Sequence, residues 1–224
     1  MSTVLFVVTA ARSWTLSDGS THPTGYWAEE LLTPHRLLTE AGHSVVFASP
    51  GGVAPVADEA SLSDDDGARA AISAIAGLQS PLRLEEVDLG TIDAVFYPGG
   101  HGPMEDLAVD ATSGALLSDA LEAEKPVALV CHGLAALLAA RRADGALVAA
   151  GRTVAAFTDE EERQGGLADK APWLLETTLR KHGVTVDAAE PWADHLVEDG
   201  NLVSGQNPQS SASVARALLR RLPA

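Results

Sequence analysis

Four short apolar runs constrain this chain more than any other feature: Val4–Val8, Ser44–Ala48, Ala94–Tyr97 and Val127–Val130. Each has the length of a strand, is largely β-branched or aromatic, and lacks the polar alternation of a strand with one wet face, so both faces are expected to be buried. Between the first two runs, a polar, glycine-containing loop from Ser13 to Thr24 leads into Trp27, Leu31, Leu32, Leu37 and Leu38 at near-helical spacing, with Gly42 as the stop. Strand, helix, strand in that order implies a parallel pair joined by a right-handed crossover, which excludes an all-β or helical-bundle fold. The alternation continues through Thr153–Phe157, a helix over Trp173–His182 closed by Gly183, then Val184–Val186, Asn201–Val203 and a closing helix over Ser210–Arg221. With no internal repeat and no linker, the reading is one doubly wound, flavodoxin-like α/β domain over residues 1–224, a mostly parallel sheet with helices on both faces.

Composition narrows the function classes. At 46% hydrophobic and 21% charged residues, with no apolar run near the length of a bilayer span, the chain is neither disordered nor transmembrane. Thirty-one acidic residues against 15 basic ones give a net charge of −16, which supplies no electrostatic footprint for nucleic acid or an anionic membrane surface. No Lys or Arg precedes Val4–Val8, and that run is too short for a secretory signal, so a cytoplasmic location is expected. Asp64-Asp65-Asp66-Gly67 lacks the alternating ligands of a calcium loop and reads as a solvated cap. The solitary cysteine, Cys131, precludes an intrachain disulfide and a multi-thiolate metal site.

In an open parallel sheet, ligands collect beyond the carboxyl ends of the strands, and two suspicious loops fall there: Pro98-Gly99-Gly100-His101-Gly102 and Cys131-His132-Gly133. Cys131 follows four apolar residues without a spacer and precedes an Ala/Leu helix, the strand–turn–helix pattern of a nucleophile elbow. A helix N-terminus beneath the sulfur would favour thiolate. The competing reading is a buried structural thiol. His132 is the adjacent candidate base. Gly99, Gly100 and His101 form a turn that a ligand can approach closely and whose N–H groups suit an oxyanion, though a plain turn has the same look. Periodicity alone does not separate Glu30 from Glu29.

These motifs, taken together, resemble the DJ-1/PfpI superfamily of class I glutamine-amidotransferase-like proteins, and within it the Hsp31-like group associated with glyoxalase III and chaperone activity. The resemblance runs nearly end to end. It rests on Thr24-Gly25 with Glu30 and Pro34, on Pro98-Gly-Gly-His-Gly-Pro-Met-Glu-Asp-Leu107, on Val130-Cys-His-Gly133, on Phe157-Thr-Asp-Glu-Glu161, and on Gly205-Gln-Asn-Pro208 with Ser210. It implies that Cys131 is the nucleophile, His132 its partner and Glu30 the carboxyl group beside the sulfur, with Gly100 and Cys131 or His132 at the oxyanion site. An acid that orients the histidine would come from Asp159, Glu160, Glu161 or Glu162, among which the sequence does not choose. Trp192, His195 and Asn207 also match subgroup positions, with packing or loop hydrogen bonding as their expected roles. A homodimer is likewise implied by the resemblance.

The implied reaction is glutathione-independent conversion of methylglyoxal and similar 2-oxoaldehydes to 2-hydroxy acids such as lactate through a Cys131 hemithioacetal, for which no metal, nucleotide or other cofactor is expected. The alternatives are a cysteine-dependent amidase or peptidase of the PfpI type, a non-catalytic stress chaperone, and a redox sensor built on an oxidisable thiolate.

Overall fold

In the computed structural model, which describes residues 1–62 and 66–223, the apolar runs form the middle of a seven-stranded sheet. The strands in chain order are β1 (Thr3–Val7), β2 (Ser13–Thr15), β3 (Thr21–Pro23), β4 (Ser44–Ser49), β5 (Leu82–Arg83), β6 (Ala94–Tyr97), β7 (Val127–Val130), β8 (Thr153–Val154), β9 (Thr185–Val186), β10 (Leu196–Asp199) and β11 (Leu202–Gly205). The α-helices are α1 (Ala28–Glu40), α2 (Glu59–Leu62), α3 (Asp66–Ala74), α4 (Ala76–Gln79), α5 (Gly102–Glu105), α6 (Ala111–Glu122), α7 (Asp159–Gly165), α8 (Leu175–Lys181) and α9 (Ser211–Leu219). The expected acidic cap at Asp64 and Asp65 lies outside the described residues, and of Asp66 only the backbone is described.

The sheet order is β10-β11-β7-β6-β1-β4-β5, parallel throughout except for β10, which pairs antiparallel with β11 at one edge. From β1 the chain steps one way to β4, and from β6 it steps the other way to β7. Right-handed crossovers in opposite directions place α1 and α6 on opposite faces. Helix α1 packs against α9, while Tyr97 of β6 reaches Ser113 of α6 through its hydroxyl. Every residue of β6 and β7 is buried, as the unbroken apolar runs demand, and burial of each large side chain contributes about 1.5–3 kcal/mol. The change of direction between β1 and β6 is the topological switch point, so the loops following β1, β6 and β7 share one end of the sheet.

Several edge elements depart from the sequence reading. The loop over Ser13–Thr24 contains the β2–β3 hairpin, and β8 pairs with β9 in a separate two-stranded sheet. Thr153–Phe157 is a strand only over its first two residues. The helix expected over Trp173–His182 is α8, which begins at Leu175.

Candidate active site

Strand β7 ends at Val130 and the chain turns at once, with Cys131 at φ +56°. A left-handed non-glycine residue costs about 1–2 kcal/mol, held here by the packing around it. Residues Cys131–Leu138 continue as 3-10 turns rather than the α-helix expected after Gly133. A Cβ on Gly133 would stand 2.5 Å from the carbonyl oxygen of Tyr97, so glycine lets this elbow nest against the end of β6.

Glu30 reaches the same point from α1. It lies four residues before Pro34 on the buried stripe of the helix, whereas Glu29 is exposed. Its Oε2 accepts the Gly99 N–H at 2.7 Å, and Oε1 is buried without an aligned hydrogen bond. Burial pushes the Glu30 carboxyl up to about 8, helped by the charge of Glu29 and opposed by the Gly99 N–H and the Cys131 thiol. The side chain therefore carries its proton at neutral pH.

Cys131 is 4% exposed, and burial pushes its thiol well above the ordinary value, with Glu30 raising it further. This overturns the expected helix-assisted lowering. No α-helix begins under the sulfur, and the N–H groups of His132 and Gly100, which pull the other way, do not outweigh desolvation. Thiol and carboxyl interact closely enough to titrate as a pair. The first proton lost leaves one negative charge and one proton shared between them.

His132 completes the group. Its Nδ1 lies 3.4 Å from Cys131 Sγ and its Nε2 lies 2.7 Å from Glu162 Oε2, while Glu162 Oε1 meets His101 Nε2 at 2.9 Å. Burial alone would raise the Glu162 carboxyl, but His132 and His101 together hold it well below the usual range. Burial and then the neighbouring His101 hold His132 low. These directions describe a neutral imidazole donating to an ionised carboxylate. Since a carboxylate only accepts, both Nε2 atoms carry hydrogen, and the Nδ1 lone pair of His132 is left facing the sulfur.

The four acids of α7 thus separate. Asp159 accepts from Thr177. Glu160 is exposed beside Arg163 and Gln164. Glu161 is buried, with Oε2 capping Thr158 and Oε1 accepting from Trp192 N–H, Gln206 and Asn207. Glu162 alone reaches the imidazoles. The signal that separates Glu161 from Glu162 is the capping box Thr158-x-x-Glu161, which assigns Glu161 to the helix start.

Other expected site residues are redistributed. Gly99 was read as an oxyanion donor, but its N–H is taken by Glu30. Gly100, at φ +90°, sits where a Cβ would lie 2.5 Å from Gly25 O, and its N–H acts on the Cys131 sulfur. His101 was placed at the oxyanion turn; it lines the cavity and holds Glu162. Asn207 ties the 193 loop to Glu161, and the backbone of His195 is bracketed by Ser210 Oγ. Trp192, expected to pack, borders the cavity. One ring nitrogen each of His101 and His132 and a Glu162 oxygen lie within 4.8 Å of one another, a spacing a cation can bridge, but the Nε2 atoms of both imidazoles already share hydrogen bonds with Glu162.

Cys131, His132 and Glu162 open onto a cavity of about 260 Å³. A Gly99→Ala substitution would set its Cβ 2.6 Å from Glu30 Oε2 and 2.8 Å from both His132 N and Val130 O. A loss of about 2–4 kcal/mol in urea unfolding is expected, with Cys131 alkylation kinetics changed as Glu30 is pushed aside.

The family model for the DJ-1/PfpI family matches residues 23–221. Glutamine amidotransferase-like class 1 domain-containing protein 1 of Bos taurus is 30% identical over 183 residues, 81% of this chain and 82% of its own length. Protein/nucleic acid deglycase HchA of Staphylococcus aureus is 26% identical over 238 residues, covering 98% of this chain and 79% of its own. The crystal structure of glyoxalase III from Candida albicans superimposes with a TM-score of 0.81 at 23% identity, over 99% of this chain and 98% of that one, and so shares the fold. With a family model matched across nearly the whole chain and an elbow cysteine at the switch-point end of the sheet, this protein belongs to the DJ-1/PfpI family.

Proposed function

We propose that this protein is a glutathione-independent glyoxalase that converts 2-oxoaldehydes such as methylglyoxal to 2-hydroxy acids. The observation that carries the reading is the meeting of the buried Glu30 carboxyl and the His132 Nδ1 at the Cys131 sulfur, with Cys131 and His132 lining the cavity. The reading is supported by the fold shared with glyoxalase III and by the similarity to HchA, which is named a protein/nucleic acid deglycase.

The thiol proton passes to His132 Nδ1 as Sγ bonds to the aldehyde carbon C1, and the carbonyl oxygen takes the proton of Glu30, giving a hemithioacetal beside an imidazolium and a Glu30 carboxylate. The Glu30 carboxylate takes the C1 hydrogen as a proton while the imidazolium protonates the C2 oxygen, forming an enediol; Glu30 then returns its proton to C2 and accepts that of the C1 hydroxyl, leaving a hydroxyl at C2, a thioester at C1 and a neutral His132. Glu30, with a carboxyl displaced toward neutrality, suits this transfer in both directions. Water, deprotonated by His132, then attacks C1 and expels the thiol. The sum is aldehyde plus ketone plus water giving hydroxyl plus carboxylic acid, with C1 oxidised and C2 reduced. Glu162 keeps the His132 tautomer that accepts the thiol proton. An amidase would use the same cysteine and histidine without needing a proton shuttle at Glu30.

The test is lactate formation from methylglyoxal by purified protein without glutathione, beside Cys131→Ala. Lactate that appears with wild type and not with the variant is the expected result. Equal inertness of the two proteins, or Cys131-dependent cleavage of amides without lactate, would overturn the reading.

A further inference from the structure

We propose that the cavity beside Cys131 selects uncharged 2-oxoaldehydes bearing an apolar, planar substituent and turns away anionic ones, with Trp192 setting the preference. The reaction in this proposal rests on the glyoxalase reading; the selectivity rests on the cavity.

Much of the lining is apolar: Trp27, Phe157, Leu167, Trp192 and Pro208. The carboxylates that border it are Asp58 and Glu162, among the described residues lining it there is no Lys or Arg, and the His22 imidazole that also lines it is held below its ordinary value by burial and by His101. Asp58 is held by Thr24 Oγ1 and the Ala60 N–H, and the Nε2 hydrogens of His101 and His132 are already given to Glu162. An anionic substituent would therefore be desolvated beside two acids with no cation to meet it, in a protein of net charge −16.

Size points the same way. A cavity of about 260 Å³ is larger than methylglyoxal needs and has room for an aryl-substituted analogue. Trp192 is fixed for this role. It holds a left-handed backbone at φ +65°, rare for a bulky residue, with its N–H on Glu161 Oε1 at 2.8 Å and its indole N–H on Gln164 Oε1 at 2.7 Å. Its ring meets Phe157 edge-on at 5.6 Å, and Phe157 lies 4.2 Å from the His132 ring. The helix that orients the imidazole through Glu162 thus also aims the indole.

Two measurements test this together. The first compares kcat/KM for methylglyoxal, phenylglyoxal and 4-carboxyphenylglyoxal in wild type and Trp192→Ala. Phenylglyoxal is expected about 3–10-fold above methylglyoxal, the carboxyl analogue about tenfold or more below phenylglyoxal, and the phenyl preference is expected to vanish in the variant. The second compares Cys131 alkylation by iodoacetamide and by iodoacetate, a neutral and an anionic reagent of similar size. Their rate ratio is expected to exceed that of a small free thiol by about tenfold at low salt. A ratio equal to the free thiol's, or indifference to the carboxyl group, overturns the selectivity. Charge discrimination in alkylation without turnover of any 2-oxoaldehyde overturns the glyoxalase reading instead.

Discussion

Replacing Glu30 by Gln is expected to lower methylglyoxal turnover by about 10²–10⁴-fold and, in the same protein, to raise the melting temperature. Glutamine keeps the shape of the protonated carboxyl and an oxygen for the Gly99 N–H, but it cannot shuttle a proton. The stability gain follows from the direction of the shift. In the unfolded chain this carboxyl ionises near its ordinary value of 4.5, whereas in the folded protein burial holds it to about 8. Below about pH 4.5 both states are protonated and the substitution gains nothing. Between about 4.5 and 8 the unfolded chain releases its proton while the folded one keeps it, so wild-type stability falls with rising pH. The penalty levels off above about 8, with a ceiling of about 5 kcal/mol. Calorimetry at pH 5 and pH 8 is expected to show a gap in melting temperature between the two proteins that widens by several degrees at the higher pH. Parallel curves would mean that Glu30 is ionised in the fold.

The second large effect is expected at Glu162. Glu162→Gln removes the ionised acceptor that fixes both imidazoles, and the amide can donate to His132 Nε2, which sends the remaining hydrogen to Nδ1. That hydrogen would point at Cys131 Sγ and block acceptance of the thiol proton. A loss of about 10²–10⁴-fold in kcat with little change in KM is expected, as when the orienting acid of a nucleophile–histidine pair loses its charge. Glu160→Gln, on the exposed side of the same helix, should stay within about twofold of wild type. Near-normal kcat in Glu162→Gln would remove this acid from the proposed mechanism.

The strands that build the middle of the sheet were legible because burial on both faces leaves an unbroken apolar run, as in Val127–Val130. Cys131 was legible because such a run ends on it without a spacer. What escaped is short or set by distant contacts. Strand β5 has two exposed residues and β10 mixes Leu and Val with acids, so neither carries a pattern. Glu30 is buried through its relation to Pro34 and Leu31, which helical spacing contains but which the exposed Glu29 beside it obscures. The thiol's upward displacement was misjudged because local spacing describes a turn, whereas desolvation depends on everything packed around it. Glu161 and Glu162 are chemically identical neighbours; the capping box Thr158-x-x-Glu161 marks the first, but that the second meets the imidazoles depends on how α7 packs against residues distant in the chain.

The left-handed backbone at Cys131 also limits which descendants of this sequence can keep a nucleophile there. Serine tolerates that turn no worse than cysteine does, so an alcohol-bearing version is open to inheritance by a single exchange. Threonine is not, because a second branch at Cβ collides with the backbone at positive φ. The hand of one peptide unit thus decides, before any chemistry is tried, which reactive side chains this lineage can sample at the end of β7.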